Sequence, residues 1–261
     1  MQFFGLVRSR GITVKPSGRA KYGSNKYTAY NLILAKWLRN FADSHPYQYV
    51  TLGGANLHDI AYISWISRQL VSSIISYEQD DFRYKTANES IKFYTDKGIF
   101  IDIVKADIFD YRRRSDLAHI FFLDLTEVCA HEQHRTGFRT WFEEQVLRNG
   151  DLILITSYLG RNPGWEKVLK QFDSEFRILR KSTVDEQKIL YERAHPLFVV
   201  HGALRDAGLD SEIGLKSVGF IRYFDTSAMG LYAIHCVDKA MNFLDTFDQL
   251  SYFNIKTRVW D

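Results

Sequence analysis

Short apolar runs that alternate with segments of helical periodicity constrain this chain more than any other feature. The runs cover residues 49–52, 71–77, 99–104, 120–123 and 152–155. Each has the length of a strand, and 71–77 is β-branched and apolar. Ile120-Phe121-Phe122-Leu123 is continuously apolar, as a strand covered on both faces should be. Between the runs, Leu57, Ile60, Ile63, Ile66 and Leu70 recur at helical spacing, with His58-Asp59 reading as a helix-start pair, a polar helix spans about 80–94, and helical pattern returns at 133–147. This rhythm predicts an α/β fold with a largely parallel sheet. Residues 218–224 and 231–236 form two further strands. They lie so close in sequence that they must pair as a hairpin, so the sheet ends antiparallel. The expected architecture is a doubly wound, mostly parallel seven-stranded sheet closed by an antiparallel C-terminal hairpin, with helices on both faces. Residues 163–207 read as helices with Pro196 between two of them, and a last helix is expected near 238–249.

Charge divides the chain where the alternation begins. Residues 1–42 carry eight basic side chains (Arg8, Arg10, Lys15, Arg19, Lys21, Lys26, Lys36, Arg39) and no acidic one, although the whole chain is only +3. The remainder, with 26 basic against 31 acidic residues, is an acidic body behind a basic arm. Tyr27, Tyr30, Leu34, Trp37, Leu38 and Phe41 mark an amphipathic helix over 25–42. Two units follow: an arm with its helix over 1–45, and a main domain over 46–261 with a helical insertion at about 161–213. Tyr22, Tyr27 and Tyr30 interleave with Lys21 and Lys26. That pattern suits phosphate contact with base stacking, or else tyrosines that pack the helix onto the body while the lysines stay solvated. On the first reading, Arg19, Lys21, Tyr22 and Lys26 contact a nucleic acid or another anionic macromolecule. A protein partner is the other occupant considered.

Other classes fall away. Two cysteines, Cys129 and Cys236, build neither a disulfide framework nor a four-thiolate zinc site, and they suit a reducing compartment. No apolar run reaches the eighteen or so residues of a membrane span, and the first residues lack the form of a signal peptide. A cytoplasmic protein without a membrane segment is expected. Cys129-Ala130-His131-Glu132-Gln133-His134 contains metal-ligand types, but so compact a cluster rarely completes a site alone, and no metal is expected.

In an open parallel sheet, ligands bind outside the carboxyl ends of the strands. After the first strand come Gly53-Gly54-Ala55-Asn56, small residues that let a ligand approach the backbone. After the second stands Glu78, an acceptor suited to a ribose diol; after the third, Asp107 and Ile108; after the fourth, Asp124 with Glu127 and His131 beyond it. Singly, each has a plain structural reading: a tight turn, a helix cap or an ordinary turn residue. Together they fall at successive strand ends of one sheet.

This series resembles the class I S-adenosylmethionine-dependent methyltransferases over roughly residues 49–236. The resemblance extends to Leu147-Arg148-Asn149-Gly150-Asp151-Leu152-Ile153-Leu154-Ile155, similar to the family's turn into strand five. It implies the strand order 3-2-1-4-5-7-6 with strand seven antiparallel. It further implies that S-adenosylmethionine is the cofactor, with Gly53, Gly54, Ala55 and Asn56 at its methionyl part, Glu78 on the ribose, Asp107 on the adenine amino group, Ile108 beside the ring, and Asp124 nearby. The family's first loop reads acidic-x-Gly-x-Gly-x-Gly; here Thr51 stands at the acidic position, Gly53 matches, and Ala55 and Leu57 replace the later glycines. The function expected from the resemblance is methyl transfer, with Asp124, Glu127 and His131 as candidate catalytic residues beside the methyl donor. The alternative is a methyltransferase-like binding subunit without catalysis that uses its basic arm.

Overall fold

In the computed structural model, the described residues are 24–41, 46–55, 57, 59–60, 71–96, 98–125, 132–159, 164–176, 183–224, 227–239, 241, 252–254 and 259–260. In chain order they form α1 (Ser24–Asn40), β1 (Tyr47–Thr51), β2 (Val71–Tyr77), α2 (Asp81–Thr95), β3 (Ile101–Val104), β4 (His119–Asp124), α3 (Glu132–Glu143) and β5 (Leu152–Tyr158). Then come α4 (Trp165–Phe176), α5 (Val184–Asp206), β6 (Gly214–Phe224), β7 (Ala228–Val237), β8 (Tyr252–Asn254) and β9 (Val259–Trp260). One sheet has the order β3-β2-β1-β4-β5-β7-β6-β8-β9. The β1–β2, β1–β4, β2–β3 and β4–β5 pairs are parallel, whereas β7 runs antiparallel to β5 and β6. The first seven strands therefore have the order and directions of the class I methyltransferase fold. Two short strands beyond the expected seven cover the outer edge of β6, with β8 parallel to it. At three and two residues, they are too short to carry a periodic signal.

Strand alternation sorts the core into two layers. Tyr47 and Tyr49, Ile120 and Phe122, and Leu152 and Leu154 face α1 and α2, together with Ile33, Leu34 and Trp37 of α1. Val50, Phe121, Leu123, Ile153 and Ile155 face α3, α4 and α5. The N-terminal helix is thus a structural layer of the body, and Tyr30 packs edge-on to Phe122 with their ring centroids 5.1 Å apart. The segment read as an insertion is the β5-to-β6 crossover that covers the second face. Arg135 of α3 ties it down through Glu175 of α4 and Asp206 of α5. Gly202 admits the guanidinium, since a Cβ there would lie 2.8 Å from Arg135 Cζ.

Pro196 does not separate two helices; it lies inside α5. Proline removes the N–H that would bond the carbonyl four residues earlier. That carbonyl, on Glu192, instead accepts a hydrogen bond from the Tyr232 hydroxyl of β7. From Ala194 to Leu204 every residue of α5 is buried, so packing holds the helix together around its proline. Most of the helix expected near 238–249 lies outside the described residues.

Candidate functional site

The alternation that buries the core also selects what stands at the strand ends. Beyond Tyr49, Phe122 and Leu154, the next residues on the α1 face are Thr51, Asp124 and Thr156, on the adjacent strands β1, β4 and β5. Three apolar columns thus end in polar side chains at the carboxyl edge. The Thr156 hydroxyl donates to Asp124 Oδ1 at 2.5 Å, and Lys26 of α1 reaches Asp124 Oδ2 at 2.5 Å. The Lys26 and Asp124 side chains are only 11% and 16% exposed, so this ion pair is largely desolvated. Lys26 was expected to contact an anionic macromolecule; it is instead a buried strut that fastens the first turn of α1 to β4. Asn25 adds a bond from its side-chain nitrogen to the Phe224 carbonyl at 2.8 Å. The arm therefore joins the body at the carboxyl edge of the sheet. Arg19, Lys21 and Tyr22 lie outside the described residues.

Thr51, which replaces an acidic residue of the family's loop, is also engaged. Its hydroxyl donates to Asp59 Oδ2 at 2.5 Å, and the Tyr49 hydroxyl donates to the same oxygen at 3.0 Å. The Tyr30 hydroxyl lies 3.0 Å from that of Tyr49. A carboxylate thus stands beside the end of β1 after all, delivered by Asp59 from the segment that follows the turn. Burial pushes the Asp59 carboxyl upward; the bonds from Thr51 and Tyr49 oppose this, Asp124 adds to it and Lys26 opposes it. Burial likewise raises the Tyr30 and Tyr49 phenols well above their ordinary value.

The turn after β1 keeps a glycine-type backbone even where glycine is absent. Gly54 has φ of +57°, and Leu57, at the last replaced glycine, has φ of 49°. A branched side chain in the left-handed region costs about 1–2 kcal/mol. Complete burial of Leu57 and a 2.8 Å bond from the Tyr94 hydroxyl to its carbonyl hold it there. A Cβ on Gly53 would lie 2.6 Å from Ser76 Oγ and 2.9 Å from Leu57 Cδ2, so the close approach of β2 requires glycine. Ala55 completes the described part of the turn; Asn56 lies outside it.

On β2 and β3, the remaining candidates stand at neighbouring strand ends. The Glu78 amide extends the ladder to the Val104 carbonyl at 3.1 Å, and Glu78 Oε1 accepts from the Asp80 amide at 3.0 Å. Asp107 Oδ1 accepts from the Phe109 amide at 2.9 Å and Oδ2 from Gln79 Nε2 at 2.5 Å, while Ile108 is buried beside it. Both carboxylates thus fill the local capping roles that the residues alone allow. They also flank the strand ends in the order Asp107, Glu78, Gly53, Asp124 along β3-β2-β1-β4. Glu127 and His131 lie outside the described residues. Sequence reasoning passed over Asp59 as a helix-start residue. Its only sequence signal was an acidic side chain one helical turn beyond a glycine loop that lacks its usual acid.

No protein-family model matches the chain, and no curated protein matches it. Among solved structures it is similar to the S-adenosylhomocysteine-bound methyltransferase PaMTH1 of Podospora anserina, at 14% identity over 80% of this chain and 77% of that one, with a TM-score of 0.44. It is also similar to an S-adenosylmethionine-dependent methyltransferase from Clostridium acetobutylicum, at 8% identity over 82% of this chain and 92% of that one, with a TM-score of 0.47. Among the described residues, no helix is long and apolar enough to cross a membrane.

Proposed function

We propose that this chain binds S-adenosylmethionine and transfers its methyl group to a nucleic acid or another anionic macromolecule. One observation carries the reading: Asp107, Glu78, the Gly53-Gly54 turn and Asp124 occupy the carboxyl ends of four adjacent strands, on either side of the point where the strand order reverses. The donor set suits the cofactor. Glu78 would accept the ribose hydroxyls, Asp107 the adenine amino group with Ile108 against the ring, and the turn would face the methionyl part. When bound, the sulfonium supplies the methyl group. Because the reaction is an in-line displacement, the protein contributes mainly alignment. The acidic side chains also favour a cationic donor. Glu127 and His131, which follow β4, would face the acceptor as candidate bases.

The choice of macromolecule rests on the eight basic residues of 1–42 and on the position of Ser24–Asn40, whose first turn is anchored at the carboxyl edge. With Lys26 buried, Arg19, Lys21 and Tyr22 are left to meet phosphates and bases. Calorimetric titration with S-adenosylmethionine and S-adenosylhomocysteine tests the cofactor. Binding is expected in the wild type and at least tenfold weaker binding in Glu78→Ala and Asp107→Ala, whereas absence of heat with both ligands overturns the reading. Arg19→Ser combined with Lys21→Ser should weaken binding of single-stranded RNA and flatten its salt dependence, leaving cofactor affinity unchanged.

A further inference from the structure

Apolar side chains run out past the core at one point of the carboxyl edge. Because β7 is antiparallel to both β5 and β6, the end of β6 lies on the same edge as the ends of β4 and β5. There the Leu159 amide donates to the Ala228 carbonyl, and Ala228 pairs with Phe224. Leu159 is buried and Ala228 partly buried, whereas Phe224 is 65% exposed. The helix over β6 repeats the pattern. Arg222 of β6 meets Glu192 of α5 at 3.1 Å, and Leu197 of α5 borders the same hollow as Ser217 and Gly219 of β6. Higher residue numbers on the helix therefore face lower ones on the strand. Phe224 lies two residues past Arg222, about 6.6 Å along the strand, and Ile189 lies three residues before Glu192, about 4.5 Å along the helix. Both overshoot the ion pair in the same direction, and Ile189 is 48% exposed. Alternation puts Phe224 on the face of Arg222, and helical spacing puts Ile189 on the face of Glu192, so both belong to one exposed apolar patch beyond the pair.

Single exposed apolar residues are ordinary. What sets this patch apart is the chain that joins it. The Asn25 side chain donates to the Phe224 carbonyl at 2.8 Å, one residue after the start of α1. Residues 1–23 hold Arg8, Arg10, Lys15, Arg19 and Lys21 and no acidic residue, so a cationic segment is tethered at Phe224. Cations beside an exposed aromatic ring fit a partner that offers anionic charge and planar faces together, which is a single-stranded nucleic acid. We propose that the phenyl ring of Phe224, together with Ile189, is a stacking platform for one base of a single-stranded acceptor. This rests on the methyl-transfer reading and its nucleic-acid substrate. β6 stands three strand spacings, about 14 Å, from β4, whose end carries Asp124. The base on Phe224 is thus a neighbour of the acceptor nucleotide, and seating it sets which nucleotide comes to the methyl donor.

Fluorescence anisotropy on the full chain tests this with two labelled probes: an oligoadenylate RNA of about 12 nucleotides and a strand of the same length whose sugars carry no base. The wild type should bind the oligoadenylate at least about fivefold more tightly than the baseless strand. Phe224→Ser should erase that preference, hold the affinity for the baseless strand within about twofold and leave the salt dependence unchanged, whereas Phe224→Trp should keep the preference. A Phe224→Ser variant that still prefers the oligoadenylate overturns the proposal, and so does one that loses both strands alike. A wild-type dimer that Phe224→Ser dissociates in sedimentation also overturns it, because the patch is then a contact between copies. If Phe224→Ser fails to fold, the wild-type comparison of the two strands decides alone. Failure of the wild type to bind either strand overturns the nucleic-acid reading as well; binding of both strands without preference overturns only this proposal.

Discussion

Replacing Lys26 by methionine keeps the length of the side chain and its contact with Phe122, over whose ring the ammonium sits 5.8 Å from the centroid. It removes only the charge. Asp124 then keeps the Thr156 hydroxyl on Oδ1 and loses the Lys26 ammonium from Oδ2, in a setting where its side chain is 16% exposed. Two unit charges about 4 Å apart interact by about 4 kcal/mol at an effective dielectric of about 20. Removing one member of a largely buried ion pair costs up to about 3–5 kcal/mol, because the attraction it supplied to the other charge is lost. For a chain of this size, about 3 kcal/mol corresponds to a fall in Tm of about 6–12 °C. The assay is a double-mutant cycle of Lys26→Met, Asp124→Asn and the double variant, followed by urea and thermal unfolding. The double variant should recover at least about 1.5 kcal/mol relative to the sum of the singles. Strict additivity, or a Lys26→Met cost below about 1 kcal/mol, would mean that the pair is a solvated surface contact and that α1 is not fastened at the strand ends.

Three further expectations concern the body. His119 is held neutral and pushed down to about 3, by burial first and then by Arg113, while burial brings His195 and His201 down to about 4. The unfolded chain binds more protons than the folded one below the ordinary histidine value of about 6.5. Stability should therefore be full above that pH and fall by several kcal/mol between about pH 6.5 and 4; a flat urea-unfolding profile across this window would refute it. Gly137→Ala would place a Cβ 2.4 Å from the Phe109 ring, so a loss of about 1–3 kcal/mol is expected by chemical denaturation, and a neutral result would show that the ring yields freely. Tyr232→Phe should cost about 1–3 kcal/mol by orphaning the Glu192 carbonyl, and in a Pro196→Ala background it should cost less, because an N–H is restored to that carbonyl.

The fold was largely legible because its evidence is local. A strand buried on both faces has to be apolar along its length, so Ile120–Leu123 of β4 could be recognised without a partner, and the short connection between β6 and β7 left only a hairpin. The acidic residues at strand ends were legible for the same reason: Glu78, Asp107 and Asp124 each follow an apolar run by a few residues. Pro196 was misread by the same local logic. Alone, a proline ends a helix, but Tyr232, 36 positions away, supplies a donor for the freed carbonyl and the core packs both halves of α5.

The sequence by itself determined the layers, the alternation and the places where polar groups emerge from the sheet, since these follow from periodicity and side-chain size. Only the tertiary structure decided what those polar groups do. Lys26 looked like part of a solvated basic arm until α1 laid it on Asp124, and Asp59 looked like a helix-start residue until Thr51 and Tyr49 closed on one of its oxygens and left the other open. The physical reason is that a buried charge takes its role from its partners, and those partners lie on other elements, across distances in sequence that no local pattern spans.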